Sequence, residues 1–461
     1  MASKTLFIGL DGAEPVLIRE WAAQGLLPNL QRVLDDYYCG PIVSPKGFGD
    51  GGLWSSLVTG VNPGKHGHYF PEQFNPQTYM LDKYSIDTEM RRDPFWFFCS
   101  KMERTVGIID IYTSALRTGL RGVQVMDWMI HDRMGAPRSW PSSLINTFHE
   151  KYMVDPLGGN SEVESRSTED YVKMHQGVLD RIKAKTDACV DLLKGNEWDL
   201  FCVGYCDAHD IGHQSWHWHD PSNPAHPAEL VAEHGDPLLQ SYQGMDTAIG
   251  RLLESGKPEN VFLVAGLGMD KQSLCNTGLQ QILAHYCGIE GDRDYAIQQR
   301  KRMPYFELPH NMHGGAVRLN LKGRESNGII EKDDYDKVLA DLSEKFKDLK
   351  DADTGEEIVK EIVLVHETCP GRFQNNLPDL FVVWHKPISV TRIQVDEHKI
   401  IELEPFYSFE YRSGDHTANA LFASSINYSN AEVIAEAIAP TICATLGVNL
   451  PDCDEPALLK V

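Results

Sequence analysis

Residues 199–213 read DLFCVGYCDAHDIGH, and this stretch decides the fold class. A continuous apolar run is followed at once by a segment rich in histidine and aspartate. Continuous apolar runs, rather than alternating ones, are typical of strands buried on both faces, as in a parallel sheet covered by helices. A helical pattern at Glu169–Lys194 precedes the run, so the stretch predicts a helix, a buried strand and a polar segment at the strand's carboxyl end.

The same pattern recurs along the chain. Further apolar runs occupy Thr5–Leu10, Thr105–Ile111 and Asn260–Ala265, and helical patterns occupy Pro15–Asp36 and Gln240–Glu254. Alternation of strands and helices predicts an α/β fold with a mostly parallel central sheet covered by helices on both faces. In such sheets, functional side chains gather at the carboxyl ends of the strands.

Two stretches are predicted to be additions to this α/β core, which would comprise residues 1–121, 161–321 and 396–461. Residues 122–160 are rich in Trp, Pro and Gly with weak periodicity, which predicts a lid or substrate-side insertion. Residues 322–395 combine a charged helical pattern with two strand-like runs, which predicts a smaller α+β subdomain.

Composition narrows the function classes. The 461 residues carry 43 Lys and Arg against 66 Asp and Glu, a net charge of −23, and 42% are hydrophobic. This is globular composition, and the acidic balance argues against a nucleic-acid or membrane-surface binder. The ten cysteines are scattered, and we read no signal peptide, so we expect a cytoplasmic protein with free thiols. A homo-oligomer stays open.

The histidine-rich segment predicts a metal site. His209, His213 and His217 are spaced by four, so on a helix they share one face, and two imidazoles at this spacing can chelate a divalent metal. His209 and His213 are the favoured ligands, while a surface role is equally compatible with His217. Asp207 could be a ligand or a carboxylate that orients an imidazole.

Two segments near the N-terminus add candidates. Asp11 ends the first predicted strand and could bind a metal or cap the following helix. Residues 47–67 form a glycine-rich loop leading into a helix predicted to begin near Leu53, and such a helix start suits an anion such as phosphate. Asp50 could cap this helix.

Together these segments resemble the alkaline phosphatase superfamily, in particular its type I phosphodiesterase/nucleotide pyrophosphatase branch. The matching stretches occur in family order: FIGLDGAEP, LWSSLVTGVNPGKHG, DLFCVGYCDAHDIGH, VFLVAGLGM and SGDHTANALF. The most specific of them is T-G-x-x-P-x-x-H-G, from Thr59 to Gly67.

The resemblance implies two metal ions and in-line displacement at phosphorus or sulfur through a covalent intermediate on a Ser or Thr. Asp11, His213 and His416 match ligand positions of the family. The position of a further Asp ligand falls on His209, and the nucleophile position falls on Asp50.

A second departure concerns the other metal site of the family. The position of its Asp-His pair falls on Gly266 and Leu267, which cannot coordinate through side chains. Asp11 and Asp50 remain there, and two carboxylates could still hold Mg²⁺ or Mn²⁺ loosely. The number of ions, one or two, stays open.

These departures set the predicted chemistry. His209, His213 and His416 suit Zn²⁺ with an open position for water, and also Fe²⁺ or Mn²⁺ with an added carboxylate. Asp50 could be nucleophile, general base or metal ligand; ligand or base is favoured, because a carboxylate beside a metal is already charged.

The sequence therefore predicts a metal-dependent hydrolase that cleaves a phosphate, phosphonate or related ester of a small anionic substrate, with metal-activated water or Asp50 as the attacking group or base. The alternatives are a non-hydrolytic mononuclear metal enzyme and a non-catalytic anion-binding descendant. Candidates for contacting substrate are Trp54, His131, His310 and His313, although the last three could equally belong to turns or polar loops.

Overall fold

The computed structural model describes residues 4–83, 85–131, 133, 135–159, 166–272, 275–289, 296–312, 314–385, 390–403, 412–428 and 431–459. His313, a predicted substrate contact, lies outside the described residues. The strands are, in chain order, β1 (Thr5–Leu10), β2 (Tyr38–Val43), β3 (Glu72–Phe74), β4 (Leu81–Lys83), β5 (Val106–Ile109), β6 (Gly122–Met126), β7 (Arg138–Trp140), β8 (Leu200–Tyr205), β9 (Asn260–Ala265), β10 (Met269–Lys271), β11 (Tyr305–Met312), β12 (Gly314–Leu319), β13 (Lys350–Asp351), β14 (Val359–Leu364), β15 (Leu380–Trp384), β16 (Arg392–Gln394), β17 (Ile400–Glu402), β18 (Gly414–His416), β19 (Leu421–Ser424) and β20 (Val433–Ile434).

The helices vary from one turn to 28 residues. They are α1 (Pro15–Ala23), α2 (Pro28–Asp36), α3 (Asp50–Thr59), α4 (Pro63–His66), α5 (Ile86–Glu89), α6 (Phe95–Lys101), α7 (Leu144–Lys151), α8 (Thr168–Gly195), α9 (Asp207–His219), α10 (Ala228–His234), α11 (Pro237–Gly256), α12 (Cys275–Tyr286), α13 (Ala296–Arg300), α14 (Tyr335–Lys347), α15 (Val365–Thr368) and α16 (Ile438–Thr445). Among the described residues, no helix is both long enough and apolar enough to cross a lipid bilayer.

A nine-stranded sheet forms the centre of the molecule, in the order β20-β2-β19-β9-β1-β8-β5-β6-β7. The five strands from β9 to β6 are parallel to one another. Leu6 and Ile8 of β1 contribute to the hydrophobic core on one face of the sheet, and Phe7 contributes to the core on the other. The predicted α/β fold with a mostly parallel, helix-covered sheet is therefore confirmed.

A second, six-stranded sheet has the order β10-β18-β11-β12-β15-β14 and its own hydrophobic core. It combines strands from the predicted subdomain, residues 322–395, with strands on either side of it. The predicted lid, residues 122–160, contributes β6 and β7 to the central sheet. The division into domains stays a prediction.

Two predicted helices differ from the observed ones. The pattern at Pro15–Asp36 forms two helices, because Pro28, which has no N–H to continue a preceding helix, begins α2. The helix predicted near Leu53 begins three residues earlier, at Asp50. Glycine is a weak helix former, yet Gly52 packs so closely on Phe48 that a β-carbon would lie 2.5 Å from the Phe48 Cβ.

Candidate metal centre

The carboxyl ends of β1 and β8 bring the first candidate residues together. Leu10 pairs with Tyr205 in register, and the Asp11 N–H donates to the Tyr205 carbonyl at 2.8 Å. Gly12 has a φ of +71°, and a β-carbon there would lie 2.4 Å from the His209 Cα. Glycine at position 12 therefore lets the β1 turn touch the first turn of α9.

His416 reaches the same place from the second sheet. The short strand β18 is fastened to α9, because the Ser413 N–H donates to the His213 carbonyl at 2.7 Å. His213 Nδ1 donates in turn to the Gly414 carbonyl at 2.8 Å. Residues about two hundred positions apart in the chain are thus held against each other.

Three buried imidazoles converge at this point. The ring centres lie 4.6 Å apart for His209 and His213, 4.5 Å for His209 and His416, and 4.9 Å for His213 and His416. One candidate ligand atom of each lies within 4.8 Å of the others. Two imidazoles bound to one ion at about 2.0–2.1 Å, with an angle of about 90–110° at the ion, have ring centres about 4.5–5.2 Å apart. The spacing therefore fits one shared ion.

The hydrogen bonds of these imidazoles also fit a metal. Within the described ranges, His213 Nε2 and both ring nitrogens of His416 are buried without a hydrogen-bond partner. A metal-ligating histidine commonly donates its other ring N–H to a carbonyl or carboxylate, as His213 Nδ1 does to Gly414. His213 and His416 therefore each have a ring nitrogen free to bind a divalent cation.

Burial keeps two of these imidazoles neutral. It lowers the pKa of His213 well below its usual value, and the positive charge of Arg412 lowers it further. Burial, reinforced by the charge of His209, lowers the pKa of His416 to about 4 despite the opposing charge of Asp50. Neutral imidazole is the form that binds metals.

A second group of donors adjoins the first and shares His209 with it: Asp11, Asp50, His131 and His209. Asp11 Oδ2 lies 2.9 Å from His131 Nε2 and 3.0 Å from His209 Nδ1, and Oδ1 accepts from Trp54 Nε1 at 2.6 Å. Burial works to raise the pKa of Asp11, but the charge of His209 and the hydrogen bonds from both histidines lower it below its usual value.

Asp50 lies at the first residue of α3, with its Oδ2 4.0 Å from His209 Nδ1. The positive end of the helix dipole favours a carboxylate here. His68 and His310 also lie close enough to Asp50 for its charge to act on them. Burial lowers the pKa of each to about 4, and the negative charge of Asp50 opposes that shift. The charge of Asp50 thus acts on His68 and His310 as well as on His416.

A model of the type I phosphodiesterase/nucleotide pyrophosphatase family matches residues 5–402. The chain belongs to this family. The predicted membership and the predicted enzyme class, a hydrolase, are therefore confirmed. Type I phosphodiesterases typically depend on divalent metals, and the two donor groups described above are where this chain could hold them. No curated protein matches the sequence of this chain.

Solved structures share the fold. Phosphonoacetate hydrolase from Sinorhizobium meliloti 1021, solved in complex with phosphonoformate, is 13% identical, covers 97% of this chain and 96% of its own, and has a TM-score of 0.58. Human ectonucleotide pyrophosphatase/phosphodiesterase 5 is 14% identical, covers 99% of this chain and 97% of its own, and has a TM-score of 0.50. At these identities the likeness shows the fold alone.

Other predicted site residues of this phosphodiesterase family member lie around the two groups. Trp54 is buried, and its indole N–H donates a hydrogen bond to Asp11. His131 also hydrogen-bonds to Asp11, and its ring stacks on the ring of His209 with the ring centres 3.5 Å apart. His310 is half-buried beside Phe381, and both its ring nitrogens lack a hydrogen-bond partner within the described residues.

Asp207 belongs to neither donor group. It faces α8, where Arg181 and Lys185 lower its pKa and Asp210 raises it, but burial dominates and raises the pKa to about 6. The role of Asp207 as a metal ligand or an orienting carboxylate stays a prediction. Neither of the two donor groups includes this residue.

Sequence reasoning missed two residues. His68 contacts Ser55 through Nδ1 at 2.9 Å, and the only signal was its place directly after the T-G-x-x-P-x-x-H-G motif. Glu14 accepts from Thr417 Oγ1 and Asn419 Nδ2, both at 2.9 Å, and so ties the β1 turn to the segment after His416. Nothing in the local sequence distinguishes Glu14 from an ordinary helix cap.

Proposed function

We propose that this chain is a metal-dependent hydrolase that cleaves a phosphate, phosphonate or related ester of a small molecule, with one divalent ion held by His209, His213 and His416. One observation carries the proposal: three buried imidazoles converge with ring centres 4.5–4.9 Å apart, and His213 Nε2 and both ring nitrogens of His416 have no hydrogen-bond partner among the described residues. Membership of the phosphodiesterase family supplies the reaction class.

Three imidazoles suit Zn²⁺ with an open position, and Fe²⁺ or Mn²⁺ if a carboxylate joins. When bound, such an ion supplies Lewis-acid polarisation of a phosphoryl oxygen and lowers the pKa of a bound water. The buried surroundings of the three histidines strengthen electrostatic interactions, since the local dielectric constant is low.

Asp50 is the general base in this proposal. Its carboxylate lies 4.0 Å from His209 Nδ1 and faces His416 and His310, so it borders the space in which substrate would react. It accepts a proton from the attacking water as the water oxygen bonds to phosphorus and the ester oxygen leaves. The Ser or Thr nucleophile of the family is replaced by this carboxylate, which favours direct attack by water.

His310 is the proposed substrate contact. The residue is half-buried, both its ring nitrogens are buried without a hydrogen-bond partner among the described residues, and its pKa of about 4 makes it a neutral imidazole at neutral pH. A neutral imidazole can donate one N–H to a phosphoryl oxygen without adding charge. Arg412, whose charge already acts on His213, adds positive potential for an anionic substrate.

The first test measures turnover of a panel of phosphodiesters, phosphomonoesters and phosphonates by the purified protein. We expect turnover of at least one ester, its loss on chelation and its recovery with Zn²⁺, Mn²⁺ or Fe²⁺. His213→Ala should abolish turnover, and Asp50→Asn should reduce kcat at least about 100-fold while the ion stays bound.

His234→Ala is the matched control, because this surface histidine of α10 lies outside both donor groups, and it should keep wild-type turnover. A protein that binds its ion but turns over no ester would overturn the hydrolase and support the non-hydrolytic alternative. A protein that binds no ion would overturn the metal centre itself.

A further inference from the structure

Asp11 is surrounded by hydrogen-bond donors. Oδ1 accepts from Trp54 Nε1 at 2.6 Å, and Oδ2 accepts from His131 Nε2 at 2.9 Å and from His209 Nδ1 at 3.0 Å. A carboxylate only accepts, so both histidine nitrogens carry their protons in this arrangement. His209 Nδ1 is therefore occupied by Asp11, and the lone pair of His209 is on Nε2.

Ring geometry separates the two donor groups. His131 and His209 are stacked, with ring centres 3.5 Å apart and 23° between the ring planes. Two imidazoles on one ion would have ring centres about 4.5–5.2 Å apart for bonds of about 2.0–2.1 Å. His131 and His209 are too close to share an ion, whereas His209, His213 and His416 have the required spacing.

We propose that Asp11 is a positioning residue rather than a metal ligand, and that the chain holds one ion per molecule. Asp11 fixes the tautomer and orientation of His209 by accepting from Nδ1, and Trp54 and His131 hold Asp11 in place. This inference rests on the proposed three-histidine centre and departs from the role that the family resemblance implies for Asp11.

The arrangement gives two of the three imidazoles an acceptor behind them. His209 donates to the Asp11 carboxylate and His213 donates to the Gly414 carbonyl. Such partners raise the basicity of a ligating imidazole, and their loss typically weakens metal binding about 10–100-fold. The carboxylate, being charged, makes the stronger of the two hydrogen bonds.

The test compares metal binding by the full-length wild type, Asp11→Asn and His213→Ala. Metal content is measured by mass spectrometry after purification without added metal, and the Co²⁺ form is titrated by visible absorption. We expect one ion per chain in the wild type. Asp11→Asn should keep one Co²⁺ and the same absorption bands, with the dissociation constant raised about 10–100-fold. His213→Ala should change the bands or lose the ion.

Trp54→Phe is the second variant, since it keeps the ring and removes only the N–H that holds Asp11. It should raise the Co²⁺ dissociation constant less than Asp11→Asn does and leave the bands unchanged. Two ions in the wild type, with one lost in Asp11→Asn, would overturn this inference while the proposed function stands. Altered absorption bands in Asp11→Asn would also overturn it. A wild type that binds no ion would overturn the proposed function instead.

Discussion

The buried ionisable groups on two faces of α9 have different kinds of partner. On the face toward α8, Asp210 accepts from Arg181 Nη1 at 2.6 Å, and Arg181 Nε also lies 3.3 Å from Asp155. On the face toward the sheet edge, His213 Nε2 has no hydrogen-bond partner among the described residues. Asp207 also faces α8, and neither of its carboxylate oxygens has a hydrogen-bond partner among the described residues, but the charges of Arg181 and Lys185 act on it. The face toward α8 therefore supplies cations for its carboxylates, whereas the other face carries imidazoles of the proposed metal centre.

The difference matters because a buried polar group without a partner costs roughly 1–3 kcal/mol. A folded chain can keep such unpartnered groups on one face of α9 only if another favourable interaction, such as a bound ion, offsets this free-energy cost. Arg181 shows that the chain can place a fully buried cation beside this helix when it needs one. The comparison therefore separates a face stabilised by its own ion pairs from the face that carries the proposed metal centre.

The largest expected effect concerns the compensated face. Arg181→Met removes the buried guanidinium that donates to Asp210 and lies beside Asp155, although Asp155 keeps its ion pair with Arg133. Breaking a buried pair in this way costs about 3–5 kcal/mol. Urea unfolding should show this loss of unfolding free energy. Arg251→Met is the matched control: the Arg251–Asp187 pair is partly exposed, so the loss should stay below about 1 kcal/mol. Equal losses in the two variants would contradict the comparison.

The next largest effect concerns the face of α9 that carries His209 and His213. Bound ion stabilises the fold by about 3–4 kcal/mol when its free concentration is about 100–1,000 times the dissociation constant. Chelator should therefore lower the unfolding free energy of the wild type by that amount and leave His213→Ala unaffected. His234→Ala should respond like the wild type. A chelator effect that persists in His213→Ala would place the ion elsewhere.

The smallest effect comes from the buried carboxyl group of Glu436. Burial raises the pKa of Glu436 to about 7, with help from the charges of Asp454 and Glu455. Asp454 is itself paired with Lys65, and the thiol of Cys369 also faces Glu436. The folded state therefore holds the proton more tightly than the unfolded state, whose pKa is about 4.5.

Stability from Glu436 is fully present below about pH 4.5 and is lost as the pH rises through about 7, by at most about 3 kcal/mol. Glu436→Gln cannot titrate, so the difference in unfolding free energy between the wild type and this variant should change over that window. Urea unfolding at pH 4.5, 6 and 8 measures it. If the difference in unfolding free energy does not change between pH 4.5 and 8, folding does not raise the pKa of Glu436.

Much of the fold could be predicted because its signals are local. The strands at Thr5–Leu10 and Asn260–Ala265 have the predicted bounds, since a run buried on both faces shows in its own residues. The strand β6 could not be predicted in this way. Its neighbours in sequence, rich in Trp, Pro and Gly, suggested an insertion, and only pairing with β5 makes it part of the sheet.

The candidate site could be predicted only as far as local patterns and the family resemblance reach. Four-residue spacing placed His209 and His213 on one helix face, and the family resemblance added His416. Whether Asp207 joins them depends on the rotation of α9 against α8, which spacing alone does not fix. The link from His131 to Asp11 joins residues 120 positions apart, and no local pattern announces it.

The sequence by itself determined which segments become strands and helices and which imidazoles share a face, because apolar periodicity and helical spacing are properties of neighbouring residues. Only the tertiary structure decided which carboxylate meets which cation or imidazole. Asp11 lies beside His209, and Asp210 lies beside Arg181, because sheet order and helix packing set those distances. Both depend on contacts across the whole chain.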